Sequence, residues 1–374
     1  RELAEEEAGR AFDLHAGEVL RAQVLRVGER EHVLLLNLHH IAFDGWSIGI
    51  LVRELTALYE AYTSGEPAAL PELPIQYADF AVWQRQYLQG EVLQGQLAYW
   101  KERLAGLHPC LKLRTDSPRP KVQTYRGAFI PFTLPDSLVE SLRTFCRQQG
   151  GTLFMTLLTV FEVLLHHHTG ESDFVVGSPM TSRNRAETEG LIGFFLNTLA
   201  LRADLSGEPS FRQLFERTRE VVLGAYANQD VPFERLIEEL HLERDPSYSP
   251  LVQVAFTLQN IQKERLKLTG LSLSPFELKT DTTQFDLTLN IADETDKVYG
   301  TFWYNTDLFE PSTVTKLVRH FETLLGRVVT RPDAALKDLR AALDEADAQR
   351  QQAFRQMSHK RLGQLKPQPV RVSH

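Results

Sequence analysis

The hydrophobic period changes abruptly at Asp44-Gly45, and this switch constrains the fold more than any other feature. Before it, Val33 to His39 forms an almost continuous apolar run, the pattern of a strand covered on both faces. After it, Ile48, Leu51, Val52, Leu55, Leu58 and Tyr59 recur at helical spacing, which predicts a helix from Trp46 to Tyr62. The chain therefore turns from strand to helix within a few residues. The turn reads "LHHIAFDGWS", with two adjacent histidines on one side and Asp-Gly on the other. Upstream, "LRAQVLRV" forms a second strand, joined to the first by a tight polar turn at Gly28-Glu29-Arg30-Glu31.

Strand and helix signals keep alternating downstream. "SGEPAALPELP" is a proline-punctuated loop, and helices are expected around Ala78–Gln89 and Leu93–Leu104. "RTDSPRPKVQTYRG" breaks the periodicity and reads as an extended crossover between lobes. Beyond it come a strand (Ala128–Leu134), a helix (Asp136–Gln148), a strongly apolar helix (Thr152–His167) and a strand (Phe174–Ser178). "FRQLFERTREVVLGAYAN" and "PFERLIEEL" are amphipathic helices. "LVQVAFTLQN", "FDLTLNIAD" and "KVYGTFWYN" alternate as strands, and a helix runs from Pro311 to about Val329. The class is α/β (α+β) with two lobes. The expected division is residues 1–116, then 117–345, then a polar, basic, linker-like tail over 346–374.

A length of 374 residues suits two or three globular units. A net charge of −8 argues against nucleic acid as the main partner. No apolar run reaches the ~18 residues of a membrane span, and no secretory leader is visible at the start. The first residue is not methionine, so the chain is expected to be cut from something longer. Only Cys110 and Cys146 carry thiols, and no Cys/His metal spacing exists. Two thiols in a chain this long suggest the reducing cytoplasm, with both as small buried groups.

His39, His40, Asp44 and Gly45 are the strongest candidates for chemistry. Neighbouring strand side chains point to opposite faces, so one histidine faces a cleft and the other faces packing. A histidine titrates near pH ~6.5 and can accept a proton or orient an amine at pH 7. Gly45 permits an unusual backbone angle, and Asp44 braces the loop if it finds a basic partner. A lone histidine is more often a core residue; this constellation at a strand-to-helix turn favours function. Other candidates are weaker alone. Tyr77, Asp79 and Trp83 in "YADFAVW" suit a helix start with packed aromatics. Gly193, Asn197 and Thr198 in "LIGFFLNTLALR" suit a bulge or a passage. Asp230, in "NQDVPFERL", is an ordinary helix-start signal. His166-His167-His168 tempt a metal reading, but consecutive helical positions fan around the axis and cannot converge on one ion; a solvated helix end is expected. No GxSxG, phosphate loop or zinc signature occurs.

Taken in order, these pieces resemble the condensation domain of nonribosomal peptide synthetases. "LHHIAFDGWS" looks like that family's HHxxxDG motif. "YADFAVW", "IGFFLNT", "NQDVPFE" and "RDPSYSPL" look like four later motifs in family order. The resemblance implies two chloramphenicol acetyltransferase-like lobes in a V, the first incomplete here, with a channel between them. It implies amide-bond formation between a donor acyl or peptidyl thioester and the amine of an acceptor aminoacyl thioester. Both would be tethered to carrier proteins by 4′-phosphopantetheine, with no cofactor bound by the domain and no metal. The partners implied are donor and acceptor carrier proteins and adjacent adenylation or tailoring domains.

By match, His40 would be catalytic, His39 supporting, Asp44 structural, and Gly45 would let the backbone approach the reacting centre. Trp46, Ser47, Tyr77, Asp79, Trp83, Gly193, Asn197, Thr198, Gln229 and Asp230 would shape the channel. The family's arginine partner for the aspartate sits in a motif that would precede residue 1, so Asp44 is expected to lack it. Two other readings stay open: a silent docking module that recruits a tailoring enzyme to a carrier protein, and a stand-alone acyltransferase using coenzyme A.

Overall fold

The computed structural model describes residues 1–243, 245–259, 268–274, 276, 278, 281–294 and 297–364. Arg244 of "RDPSYSPL", Asn260 and the tail from 365 lie outside them. The elements run α1 (Glu2–Gly9), β1 (Leu20–Arg26), β2 (His32–Leu38), a 3₁₀ turn (His40–Ala42), α2 (Gly45–Ser64), α3 (Tyr77–Tyr87) and α4 (Gly90–Arg103). They continue with β3 (Gly127–Leu134), α5 (Asp136–Gln149), α6 (Leu153–Thr169), β4 (Asp173–Thr181), α7 (Ala186–Glu189), β5 (Leu196–Asp204), α8 (Phe211–Ala227) and α9 (Phe233–Leu240). The last are β6 (Val254–Gln259), β7 (Leu287–Asp293), β8 (Val298–Asn305), α10 (Pro311–Thr330) and α11 (Leu336–Gln364).

β1 and β2 form a two-stranded antiparallel ribbon, with Leu20 opposite Leu38 and Arg26 opposite His32. The other strands form a six-stranded sheet in the order β3-β8-β7-β6-β4-β5. Among these strands only β4/β6 and β6/β7 pair in parallel. The mixed α/β class expected from the alternating patterns is the class observed.

The main core lies between this sheet and α5, α6, α8 and α10. α6 is apolar all round, and every residue from Met155 to His166 is buried. Such a helix belongs in a core. Among the described residues no single helix is long and apolar enough to cross a membrane. Leu97 and Trp100 of α4, and Leu104 and Leu111 after it, join this main core.

The crossover after α4 is extended, as its prolines predict, but it is pinned down. Both terminal nitrogens of Arg119 donate to the buried Asp286, at 3.1 and 2.5 Å. Asp116 accepts from the Glu310 backbone N–H at 2.8 Å and so caps the start of α10.

Three expectations change. β2 is not covered on both faces: Leu34 and Leu36 are exposed, as are Leu20 and Val24 of β1. The ribbon presents one apolar face to solvent, because it has only two strands and none of the described residues covers that side. Residues 346–364 are helical, continuing α11, whose start is anchored by buried Leu336, Leu339 and Leu343. The histidine triplet does not end in solvent. His166 is buried, and its Nδ1 pairs with the Glu171 carbonyl at 2.8 Å; His168 pairs with His320 of α10 at 3.1 Å. Of the two thiols, Cys146 is buried and Cys110 is half-buried; both are free.

α6 also carries a buried carboxyl. Glu162 is 3% exposed, and Thr218 of α8 donates to it at 2.7 Å. Burial pushes its pKa from 4.5 up to about 8. It is therefore protonated at neutral pH, and the folded state binds one proton more than the unfolded chain between those values. Stability contributed at low pH is lost as pH rises from about 4.5 through about 8. Glu162→Gln keeps the shape and removes this loss. Denaturant unfolding should show no gain at pH ~4.5 and a gain on the order of 3 kcal/mol at pH ~7, rising towards pH ~8.

Candidate functional site

β2 ends at Leu38, so the strand pleat does not separate the two histidines; the following turn does. His39 is the N-cap of the 3₁₀ turn and accepts from the Ile41 N–H through Nδ1 at 3.0 Å. Its ring meets Phe12 edge-on at 5.5 Å. His40 is exposed, and its Nδ1 lies 2.6 Å from the Phe43 carbonyl. A carbonyl only accepts, so Nδ1 carries the hydrogen and a neutral His40 offers its Nε2 lone pair. As neutral rings the neighbours are thus opposite tautomers, with Nδ1 an acceptor in His39 and a donor in His40. The His40 ring stands edge-on to Phe194, at 5.3 Å between centroids.

Asp44 is buried and caps α2: the Ser47 N–H donates to it at 2.9 Å and the Ser47 hydroxyl at 2.7 Å. It is also held from 139 residues further along the chain. Arg183 Nη2 donates to both carboxylate oxygens, at 3.1 and 3.3 Å, and the Phe195 N–H donates to Oδ2 at 3.0 Å. The expectation that Asp44 lacks an arginine is therefore wrong: Arg183 supplies it from beyond the crossover. Both side chains are essentially fully buried. Arg183 also donates to the Thr188 and Leu191 carbonyls and to Ser47 Oγ, and its guanidinium lies 4.0 Å from the Phe195 ring centroid. Burial lowers the Arg183 pKa, and Asp44 opposes the shift.

The seam around this pair gathers several expected residues. The Gly193 N–H donates to Ser47 Oγ at 3.1 Å, and the Trp46 indole donates to the Glu189 carbonyl at 3.0 Å. The Tyr77 hydroxyl donates to the Phe194 carbonyl at 2.8 Å. Burial, and then Asp44, raises the Tyr77 pKa, so it stays a donor. A side chain at Gly193 would collide with the Tyr77 ring, which explains the glycine. Phe80, Leu191 and Phe195 form a second, small apolar core here, flanked by Ile75 and Trp83. Arg185 stacks over Trp83 at 4.1 Å. Asp79 serves locally, accepting from the Gln76 N–H at 2.8 Å to cap α3.

A second group forms apart from the histidines. Asn197 Nδ2 donates to the Gln229 and Val231 carbonyls, both at 2.8 Å, while its Oδ1 accepts from Thr198 and Phe233 N–H groups. Gln96 Nε2 donates to Asp230 at 2.9 Å, and Gln229 donates to the Tyr226 carbonyl at 2.7 Å. Asn197 is fully committed to holding this loop on β5. A cavity lined by Arg103, Glu162, Arg202 and Arg217 lies elsewhere and touches none of these residues.

Gly45 is the first residue of α2 and does not adopt a positive φ, so the backbone-angle reason for it falls away. A side chain there would meet open space instead. Arg183, Arg185 and Phe194 carry much of the seam and were not legible in the sequence. Arg183 and Arg185 sit in "TSRNRAE", an aperiodic loop that gives no local signal of a partner near residue 44.

Residues 1–350 match the Condensation domain family. A linear gramicidin synthase polypeptide of Brevibacillus parabrevis is 50% identical over 339 residues, which cover 90% of this chain and 4% of that polypeptide. Phosphinothricin tripeptide synthetase PhsC of Streptomyces viridochromogenes is 44% identical over 88% of this chain and 30% of its own length. This chain thus spans under a third of either relative. Among solved structures, the X-domain in its complex with OxyB from teicoplanin biosynthesis superposes with a TM-score of 0.84 at 27% identity, over 90% of this chain and 76% of that one. A holo four-domain nonribosomal peptide synthetase bound to AMP and glycine gives 0.78 at 25% identity, over 90% of this chain and 26% of that one. The chain belongs to the condensation-domain family of nonribosomal peptide synthetases.

Proposed function

We propose that this chain is an acyltransferase that forms an amide bond between two carrier-tethered substrates. The donor is an acyl or peptidyl thioester and the acceptor an aminoacyl thioester, each on a 4′-phosphopantetheine arm. The observation that carries the reading is the free Nε2 of His40, its tautomer set by the Phe43 carbonyl, on a loop locked by buried Asp44. A free α-amine titrates near pH ~8, so much of it arrives protonated. The neutral amine attacks the thioester carbonyl carbon. A C–N bond forms, the amine proton passes to His40 Nε2, and collapse of the tetrahedral intermediate breaks the C–S bond. The departing thiolate takes the proton back. General-base help of this kind contributes roughly 10²–10⁴-fold. Tethering both reactants supplies a further share of the rate. Trp46, Tyr77 and Gly193 at the seam, and the Asn197–Thr198 and Gln229–Asp230 group, would shape the channel walls.

A second reading has its own support. Two of the closely superposing structures are X-domains from teicoplanin biosynthesis, one of them in complex with OxyB. That likeness favours docking of a tailoring enzyme to a carrier-bound peptide. The 50% identity to a linear gramicidin synthase and the orientation of His40 favour condensation.

Mass spectrometry with both neighbouring carrier proteins loaded distinguishes the two. The wild type should yield the extended product on the acceptor carrier, and His40→Ala should lower the rate at least ~100-fold while folding normally. Near-wild-type turnover by His40→Ala would remove the catalytic assignment. Tight capture of a tailoring enzyme without any condensation product would select docking.

The Asp44–Arg183 pair generates a separate prediction. Removing one partner leaves a buried charge unpaired, at a cost of about 3–5 kcal/mol. Arg183→Met should lose that amount in urea unfolding, and Arg183→Lys should recover little, because the guanidinium fork serves several acceptors at once. Asp44→Asn combined with Arg183→Met should lose clearly less than the sum of the single losses.

A further inference from the structure

On the side of the main core formed by α6, α10 and α11, His167, His168 and His320 each offer one ring nitrogen, and these atoms all lie within 4.8 Å of one another. His168 Nε2 and His320 Nδ1 are already 3.1 Å apart. Two ligands on a tetrahedral zinc ion, each at about 2.05 Å, stand roughly 3.3 Å apart, so this edge is close to its final length. The other ring nitrogen of His320 pairs with Asp347 Oδ1 at 3.0 Å. A carboxylate only accepts, so His320 Nε2–H donates to it and Nδ1 is left as a lone pair facing the cluster. That is the carboxylate–histidine arrangement which orients imidazole ligands around metals. Lys316 holds the other oxygen of Asp347 at 2.5 Å. Asp344, one turn earlier on α11, has a carboxylate oxygen 3.9 Å from His167 Nε2 and is largely exposed. His320 is buried and the other two histidines are half-buried.

We propose that His167, His168 and His320 bind a divalent transition-metal ion of the zinc class, with Asp344 closing the coordination. Adjacent histidines on a helix cannot enclose an ion alone; α10 supplies the third nitrogen and α11 the carboxylates. Metals take imidazoles through an unprotonated ring nitrogen, and the His320 Nδ1 lone pair left by the Asp347 hydrogen bond is already of that kind. Binding would displace the proton that His168 Nε2 now shares with His320. The ion would tie the first turns of α11 to α6 and α10. It lies on elements other than those carrying His40, so its role is structural.

The test uses the full chain, stripped of metal with a chelator and titrated with Zn²⁺ or Co²⁺ alone. Calorimetry should give one zinc per chain with micromolar or tighter affinity, and zinc should raise the melting temperature by a few degrees. Co²⁺ should give a tetrahedral visible spectrum without a thiolate charge-transfer band. His167→Gln and His168→Gln should each weaken binding at least ~10-fold, Asp344→Asn less, and Cys110→Ser not at all. The half-buried His167 keeps the test informative if a variant at His168 folds poorly. Absence of stoichiometric binding, a thiolate band, or unchanged affinity in His167→Gln would overturn the proposal.

Discussion

Everything around His40 depends on one buried carboxylate. Asp44 caps α2, accepts from Ser47, Arg183 and the Phe195 backbone, and so fixes where α2 starts. Its neighbours from beyond the crossover are fixed in turn: Arg183 holds the carbonyls of Thr188 and Leu191, and Ser47 holds Gly193. The loop that presents His40 is therefore short, capped and anchored at both ends of the network. A side chain on such a loop keeps its place, which is what the proposed reaction between two tethered substrates requires of it.

The division between what could be read from the sequence and what could not follows the range of the interactions. The strand-to-helix switch at Asp44-Gly45 was legible because period two and period 3.6 are local signals. The later elements other than α7, β5 and α11 were legible for the same reason, to within a few residues at their ends. The apolar run Val33–His39 misled because continuity of apolar residues does not say which neighbours arrive; Leu34 and Leu36 face solvent. Arg183 was invisible because its partner is 139 residues away, and an arginine in an aperiodic loop looks like surface.

The histidine triplet teaches the same lesson in the opposite sense. Helix geometry correctly separates His166 from its neighbours: it pairs with Glu171 while His168 turns to α10. What helix geometry omits is the approach of His320 and of Asp347 from α11. A polar cluster at the back of an apolar core holds a helix that the composition alone reads as linker. Asn197 is a further instance, a residue between two apolar stretches whose amide is spent on backbone groups of the 229–233 loop.

The seam has a consequence for inheritance. Asp44, Ser47 and Tyr77 precede the crossover, while Arg183, Gly193 and Phe195 follow it, yet they form one set of mutual contacts. A breakpoint anywhere between α3 and Arg183, whether in natural shuffling or in an engineered chimaera, would take half of that set from each parent. Parents that differ at any of these positions would give offspring with a buried charge or a clash at the joint. The segments on either side of the crossover are thus single as a unit of exchange, and a hybrid that works is one whose parents agree at the seam.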